Sequence, residues 1–158
     1  ILEVDAFYDD GRLGIESTGP LPPEVGETTT YTLRFRLGSS LNDIGDVKMT
    51  AVLPETVTYT DTTYSTEGEI FFNDRTNEIS WTLPFIEGLA GRAEPGPELH
   101  VQVSITPGEN LRGDEVQLLQ SANMLATDLF SDEAVATEVV ERDLPNTEDA
   151  AEDQGKVE

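Results

Sequence analysis

The side chains of this chain that could do chemistry are overwhelmingly carboxylates. Thirty-two Asp and Glu face nine Lys and Arg, with one His and no Cys in 158 residues. Carboxylates in clusters suit hard cations, and three turns gather them: Asp9 with Asp10, Asp43 with Asp46, and Asp128 with Asp132 and Glu133. Calcium asks for roughly six to eight oxygens, from carboxylates, carbonyls and water together. None of the three clusters has EF-hand spacing, and in so acidic a chain paired carboxylates arise from composition alone. Each reads first as a solvated turn whose Asp and Asn bond their own backbone. No metal ligand and no cofactor-binding residue is assigned; calcium is the one ion the chain could take. Glycoside hydrolysis needs two carboxyls facing each other across a sugar, and nothing in the sequence selects such a pair. No catalytic residue is assigned, and the chain is read as non-enzymatic.

The other reactive side chains are few. His100 is the only histidine, so neither a zinc site nor a histidine-based triad can be assembled. Alternation sets it on the polar side of a strand between Leu99 and Val101, as an ordinary surface histidine. An internal amide bond between Lys and Asn or Asp needs a buried lysine beside a carboxylic acid, whereas the phase of Lys48 puts it on a wet face. Leu144-Pro145-Asn146-Thr147 resembles the sortase signal Leu-Pro-any-Thr-Gly, but Glu148 replaces the Gly and no apolar stretch with a basic tail follows, so the match is read as coincidence.

The bulk properties limit the partners. A net charge of -23 and a pI near 4.1 repel phosphate backbones and anionic lipid heads, which argues against nucleic acid and direct membrane binding. Lys48 and Lys156 are the only lysines, a pattern shared with acidic proteins of salty media. No run of apolar residues is long enough for a membrane helix, and the opening Ile1-Leu2-Glu3-Val4-Asp5 has no basic stretch of the signal-peptide kind. The chain is read as a mature piece of a longer protein. Its length suits one domain that folds without staples, burying about 70% of its unfolded surface.

What must position these side chains is a set of strands. Tyr31, Leu33, Phe35 and Leu37 alternate with Thr30, Thr32, Arg34 and Arg36, which gives one dry face and one facing water. The same period recurs at Val47, Met49, Ala51 and Leu53, at Val57 and Tyr59, at Ile79, Trp81 and Leu83, and at Leu99, Val101, Val103 and Ile105. Ala122, Met124 and Ala126 point inward, and Val135, Thr137 and Val139 form a last strand; Glu115 to Leu129, although helix-like in composition, is read as strand. Asn73 to Asn77 forms a hairpin turn, Asn42 to Asp46 a second turn and Pro107 to Asn110 a third. Gly88 to Pro97 is a surface loop. Trp81 and the Tyr31/Phe35 stripe are core rather than a ligand platform.

These strands predict an all-β, immunoglobulin-like antiparallel β-sandwich of about seven to nine strands. Three segments are distinguished. Residues 1–12, alternating through Leu2, Val4, Ala6 and Tyr8, form an N-terminal edge or linker strand, with Leu2 to Tyr8 favoured as an inter-domain or inter-subunit strand. Residues 13–143 form the sandwich. Residues 144–158 are too polar and charged to order themselves and form an acidic disordered tail or linker.

Three stretches carry a resemblance. Pro22-Pro23-Glu24-Val25-Gly26-Glu27-Thr28-Thr29-Thr30-Tyr31-Thr32-Leu33 resembles the opening of the conserved repeat domain of bacterial and archaeal cell-surface proteins, a domain of unknown function with an immunoglobulin-like fold. Asp46 to Tyr59, with its Val-x-Met-x-Ala-x-Leu-Pro core, is similar to that family's second hallmark strand, and Phe72 to Leu83 to its hairpin. The likeness spans about Gly19 to Val140. Gly19 to Pro23 and Leu41-Asn42-Asp43 look most like large surface proteins of ultra-small, host-associated bacteria. Ala51 stands where the family usually has Asp, and Pro84 where it usually has Gly, so any turn or cation held by that Asp is missing here.

The resemblance implies an extracellular, cell-surface location and brings no catalytic residues. The expected function is that of a non-catalytic structural module of a stalk, filament or surface layer, mediating spacing or assembly, with neighbouring copies or domains of the same protein as partners. Two alternatives stand beside it. One is an adhesin module recognising a host glycan or protein through Ala90 to Pro97 or Gly38 to Asp46; the other is a calcium-rigidified linker.

Overall fold

The computed structural model describes residues 2–8, 18–20, 22–38, 42–89, 96–114, 117–143 and 158. Among these described residues nine strands follow in chain order: β1 (Leu2–Phe7), β2 (Thr29–Leu37), β3 (Ile44–Val52), β4 (Val57–Ser65), β5 (Glu69–Asn73), β6 (Glu78–Ile86), β7 (Glu98–Ile105), β8 (Gln117–Asp128) and β9 (Ala134–Asp143). The one helical turn among the described residues is a short 3-10 turn at Glu109–Leu111. The strands form two antiparallel sheets, ordered β1-β2-β7-β4 and β5-β6-β3-β8-β9. This is the immunoglobulin-like sandwich that the alternation predicts.

The core is the set of inward positions read from the period of two. Tyr31, Leu33, Phe35, Leu37, Val47, Met49, Ala51, Ile79, Trp81, Leu83, Leu99, Val101, Val103, Ile105, Ala122 and Met124 are all buried between the sheets. Ala51 sits fully buried between Ile79 and Ala122. Stacked rings of Tyr59 and Phe72, with centroids 4.2 Å apart, close the β4/β5 side. On the other side β1 lies against β9.

Two features of the sheets escape simple alternation. Ile44 to Asp46, expected within a turn, already belong to β3; Asp46 takes a positive φ of 48° and makes a bulge against β8 between Gly45 and Lys48. An Asp tolerates this left-handed backbone better than most side chains, and the extra residue re-aims Val47 into the core. The edge strand β4 runs on to Ser65 well past Tyr59, and its register with β7 slips between Tyr59 and Thr63, where Asp61 has a φ of 64°. Thr60 Oγ1 bonds Gln102 O across that slip (2.9 Å). Such an irregular edge discourages pairing with another chain.

The register fixes two poles. Leu2 pairs with Leu37, Ile44 with Asp128, and Thr127 with Ala134, so these residues share the near pole. Thr29 pairs with Ile105 and Gln117 with Asp143, at the far pole. Asn77, with φ 57°, ties two far-pole turns together: its Nδ2 donates to Leu53 O (3.0 Å) and Pro54 O (2.9 Å). At the same pole Glu158 N donates to Pro23 O (2.7 Å) and Val25 N to Glu158 O (2.9 Å).

Candidate functional site

Among the described residues, the Asp43 and Asp128 carboxylates serve as hydrogen-bond acceptors that hold turns. Asp128 Oδ1 accepts from Phe130 N (2.8 Å) and Ser131 N (3.1 Å), while Asn42 Nδ2 donates to Oδ2 (3.1 Å). Those donors, Asn42 first, hold the Asp128 carboxyl below its ordinary value, because each bond favours the charged form. Asp132 and Glu133 join through their backbones, Asp132 N donating to Asp128 O and Asp128 N to Glu133 O. Asp43 Oδ1 accepts from Gly88 N (2.8 Å) and its carbonyl from Leu129 N (3.0 Å). Asp46 stands apart, exposed on the β3 bulge. Among the described residues no three His, Cys, Asp or Glu side chains converge as a metal site would require. Asp9, Asp10, residues 39–41 and 90–95 of the two candidate binding loops, and residues 144–157 of the tail lie outside the described residues.

Lys48 is exposed, paired across the sheet with Thr82 and Leu125, which is not the buried setting an internal amide bond needs. Trp81 is fully buried, and its Nε1–H donates to Glu67 O (2.8 Å). That bond anchors the crossover from β4 to β5.

His100 corrects an expectation. Alternation places it on the outward side of β7, and there it is, between Arg34 of β2 and Tyr64 of β4 in the register. It is covered, however, at 2% exposure rather than solvated. Its Nε2 lies 3.4 Å from Glu98 Oε2, and its ring meets Tyr64 edge-on at 6.1 Å. Thr30 and Thr32, also expected to face water, are buried on the same side. Thr18 N donates to Thr30 Oγ1, and Thr30 N to Thr18 O (2.8 Å), so backbone packs over that end of β2. Periodicity tells which face a side chain takes, not whether that face is covered.

The densest polar constellation joins β1 to β2. Arg34 Nη2 pairs with Asp5 Oδ2 at 2.6 Å, and Arg36 Nη2 bridges Glu3 Oε2 (2.9 Å) and Asp5 Oδ2 (3.1 Å). Arg34 also lies over the Phe7 ring, 4.7 Å from its centroid. The side chains of Arg34 and Asp5 are only 11% and 16% exposed, so solvent screens this pair less than a surface one. On the other side of the same strand Leu2, Val4 and Ala6 enter the core. β1 is thus held by a six-pair ladder, an apolar face and a charge clasp. A signal for the clasp was present in the sequence: acids two apart on one alternating segment and arginines two apart on another meet when the segments pair antiparallel.

The directions of the edge strands complete the geometry. β1 runs from the near pole to the far pole, and so does β9, in the opposite sheet. The first strand therefore starts at one end of the sandwich and the last strand finishes at the other.

No protein-family model matches this sequence, and no curated protein matches it. Among solved structures the chain is similar to the major pilin subunit BcpA of Bacillus cereus (12% identity, TM-score 0.52, covering 90% of this chain and 40% of that one). It is similar also to the full-length major pilin SpaD of Corynebacterium diphtheriae (14% identity, TM-score 0.52, 90% and 35%). A third neighbour is a C-terminal fragment of the major pilin GBS80 of Streptococcus agalactiae (11% identity, TM-score 0.51, 90% and 55%). The chain corresponds to about half or less of the length of these neighbours, and at such identities the likeness is one of fold.

Proposed function

We propose that this chain is a non-catalytic, load-bearing spacer of an extracellular cell-surface protein, a unit of a stalk, filament or surface layer related to the conserved surface repeat domain. The observation that carries the reading is the strand polarity. Tension entering at the near end of β1 and leaving at the far end of β9 runs along the strands. The β1–β2 hydrogen bonds are then loaded together in shear rather than one at a time, and the Asp5–Arg34 and Arg36 pairs resist the same sliding. A fold built for spacing needs this and no reactive site. The pilin neighbours lend support at the level of fold, and the acidic exterior suits a protein that stays soluble and apart from anionic surfaces.

Single-molecule pulling tests the reading. The chain has no cysteine, so handles placed by substitution are unique. Pulled in series through β1 and β9, the domain should resist at least about twofold more force than when pulled through cysteines at Asp74 and Asn110, both exposed at the far pole, where bonds open sequentially. Equal forces in the two geometries would remove the basis of the proposal.

A further inference from the structure

The far pole holds a backbone contact that neither sheet includes. Glu158 N donates to Pro23 O (2.7 Å), and Val25 N donates to Glu158 O (2.9 Å). Bonds to the two residues that flank Glu24 are the pattern of chains running in parallel, with Glu158 opposite Glu24. The receiving segment is itself held in place. Pro23 is buried and Val25 packs against the core. Gly26 N donates to Pro107 O just past β7 (2.9 Å), and Glu27 N donates to Glu24 O (3.1 Å) to close a turn. Gly26 takes a φ of +82° while Val25 keeps a negative one, so this is a type II turn with Val25 at its second position.

The site admits one residue in one register. Extending the pairing a step back along the segment would need an N–H at Pro23, and proline has none. A step forward meets the turn, which bends the segment away. The contact is also finely balanced. Two backbone bonds contribute little more than the closing of a loop through residues 144–157 costs. Parallel pairing sets the Glu158 side chain beside that of Glu24; both are exposed, and the exposed Glu27 follows in the turn. Like charges across a pair oppose it, and dissolved salt screens exposed charges most.

We propose that residues 23–25 are the receiving half of a salt-controlled strap. At high ionic strength Glu158 docks parallel to Glu24; at low ionic strength the Glu24, Glu27 and Glu158 carboxylates push it off. Docked, the strap returns residue 158 to the pole where β9 ends and Asp143 pairs with Gln117, and so fixes where the chain leaves the domain. Released, that point is free to move on residues 144–157. The strap therefore sets the reach of the chain past β9. It goes beyond the spacer reading and stands without it, because it bears on the segment after the sandwich and not on how the sandwich resists force.

The test is backbone nitrogen relaxation of the full chain at low and molar NaCl, on wild type, Val25→Ala, Val25→Pro and Glu24→Gln. In wild type the Glu158 N–H order parameter should rise from below about 0.6 at low salt to about 0.8 at high salt. Val25→Ala trims the side chain but keeps the N–H, and should follow wild type. Val25→Pro suits the second position of a type II turn and removes only the donor to Glu158 O, so Glu158 should stay below about 0.6 at both salt concentrations. Glu24→Gln should leave Glu158 ordered at low salt as well. A wild-type Glu158 that is mobile at both salt concentrations, or ordered at both, overturns the proposal. Order that survives Val25→Pro, or a salt dependence unchanged by Glu24→Gln, overturns it equally.

Discussion

Replacing Gly68 by Ala separates backbone strain from steric conflict at the crossover between the sheets. Gly68 has a φ of +91°, and a Cβ there would stand 2.5 Å from Trp81 Nε1, 2.7 Å from Thr82 O and 3.1 Å from Leu83 Cγ. The left-handed backbone alone costs an Ala about 1 kcal/mol. The contacts cannot yield cheaply, because the Trp81 indole is fully buried and Thr82 O belongs to a ladder. Relief means moving the turn and losing the Trp81 Nε1–H bond to Glu67 O, which leaves a buried donor unpaired at about 2 kcal/mol. The total, about 3 kcal/mol, lowers the melting temperature of a chain this long by roughly 6–12 °C. Gly113 is the control: its φ is +83°, and a Cβ there meets nothing within 4 Å. Gly113→Ala should therefore show the backbone part only, roughly 2–4 °C. Trp81 is the only tryptophan, so its fluorescence during thermal unfolding reads both the transition and the local environment. Equal shifts in the two variants, or a Gly68→Ala shift no larger than the control's, would refute the reasoning.

Three further outcomes are expected. Asn77→Ala removes the side chain that holds Leu53 O and Pro54 O and places Ala at a φ of 57°; denaturant melts should show a loss of about 2–3 kcal/mol, and Asn77→Gly a smaller loss because only the bonds disappear. In a double-mutant cycle, Asp5→Ala and Arg34→Ala should couple by about 1–2 kcal/mol, since removing Asp5 leaves the largely buried Arg34 guanidinium without the carboxylate it pairs with, whereas Arg36 keeps Glu3; additivity would show the clasp to be inert. Asp128 has a lowered pKa in the folded chain, so its contribution is present above the unfolded value of 3.8 and is lost as pH falls through the lower folded value. The stability difference between wild type and Asp128→Ala should accordingly shrink below about pH 4, and a difference that grows on acidification would contradict the sign.

Much of the fold was legible because a two-residue period is a direct image of a half-buried strand. The stripe Tyr31, Leu33, Phe35, Leu37 and the Trp81 position lie in the core as their spacing required. The second half of β4 was not legible: Thr60 to Ser65 is polar on both sides, as an irregular edge strand can be, and its pairing rests on backbone bonds to β7. Asp46 was read as a turn residue because turns and bulges use the same positive-φ chemistry. His100 and Thr32 were assigned to water because alternation carries no information about what covers a sheet's outer face. The clasp of Glu3, Asp5, Arg34 and Arg36 needed the pairing of β1 with β2 before its charges could be seen to meet. The outward placement of Phe130 had no sequence signal, since it follows from the bonds that the Asp128 carboxylate accepts from the turn backbone.

The most direct test of the load-bearing account is the length released when a tandem array of this domain is stretched. Residues 2–143 fully extended span about 480 Å, and the account predicts that this length, less the folded sandwich, appears in one step, because β1 cannot slide before the whole structure yields. A first release of about 90 Å at low force, the length of residues 2–28 extended, would mean that β1 peels away alone and bears no load, and would contradict it.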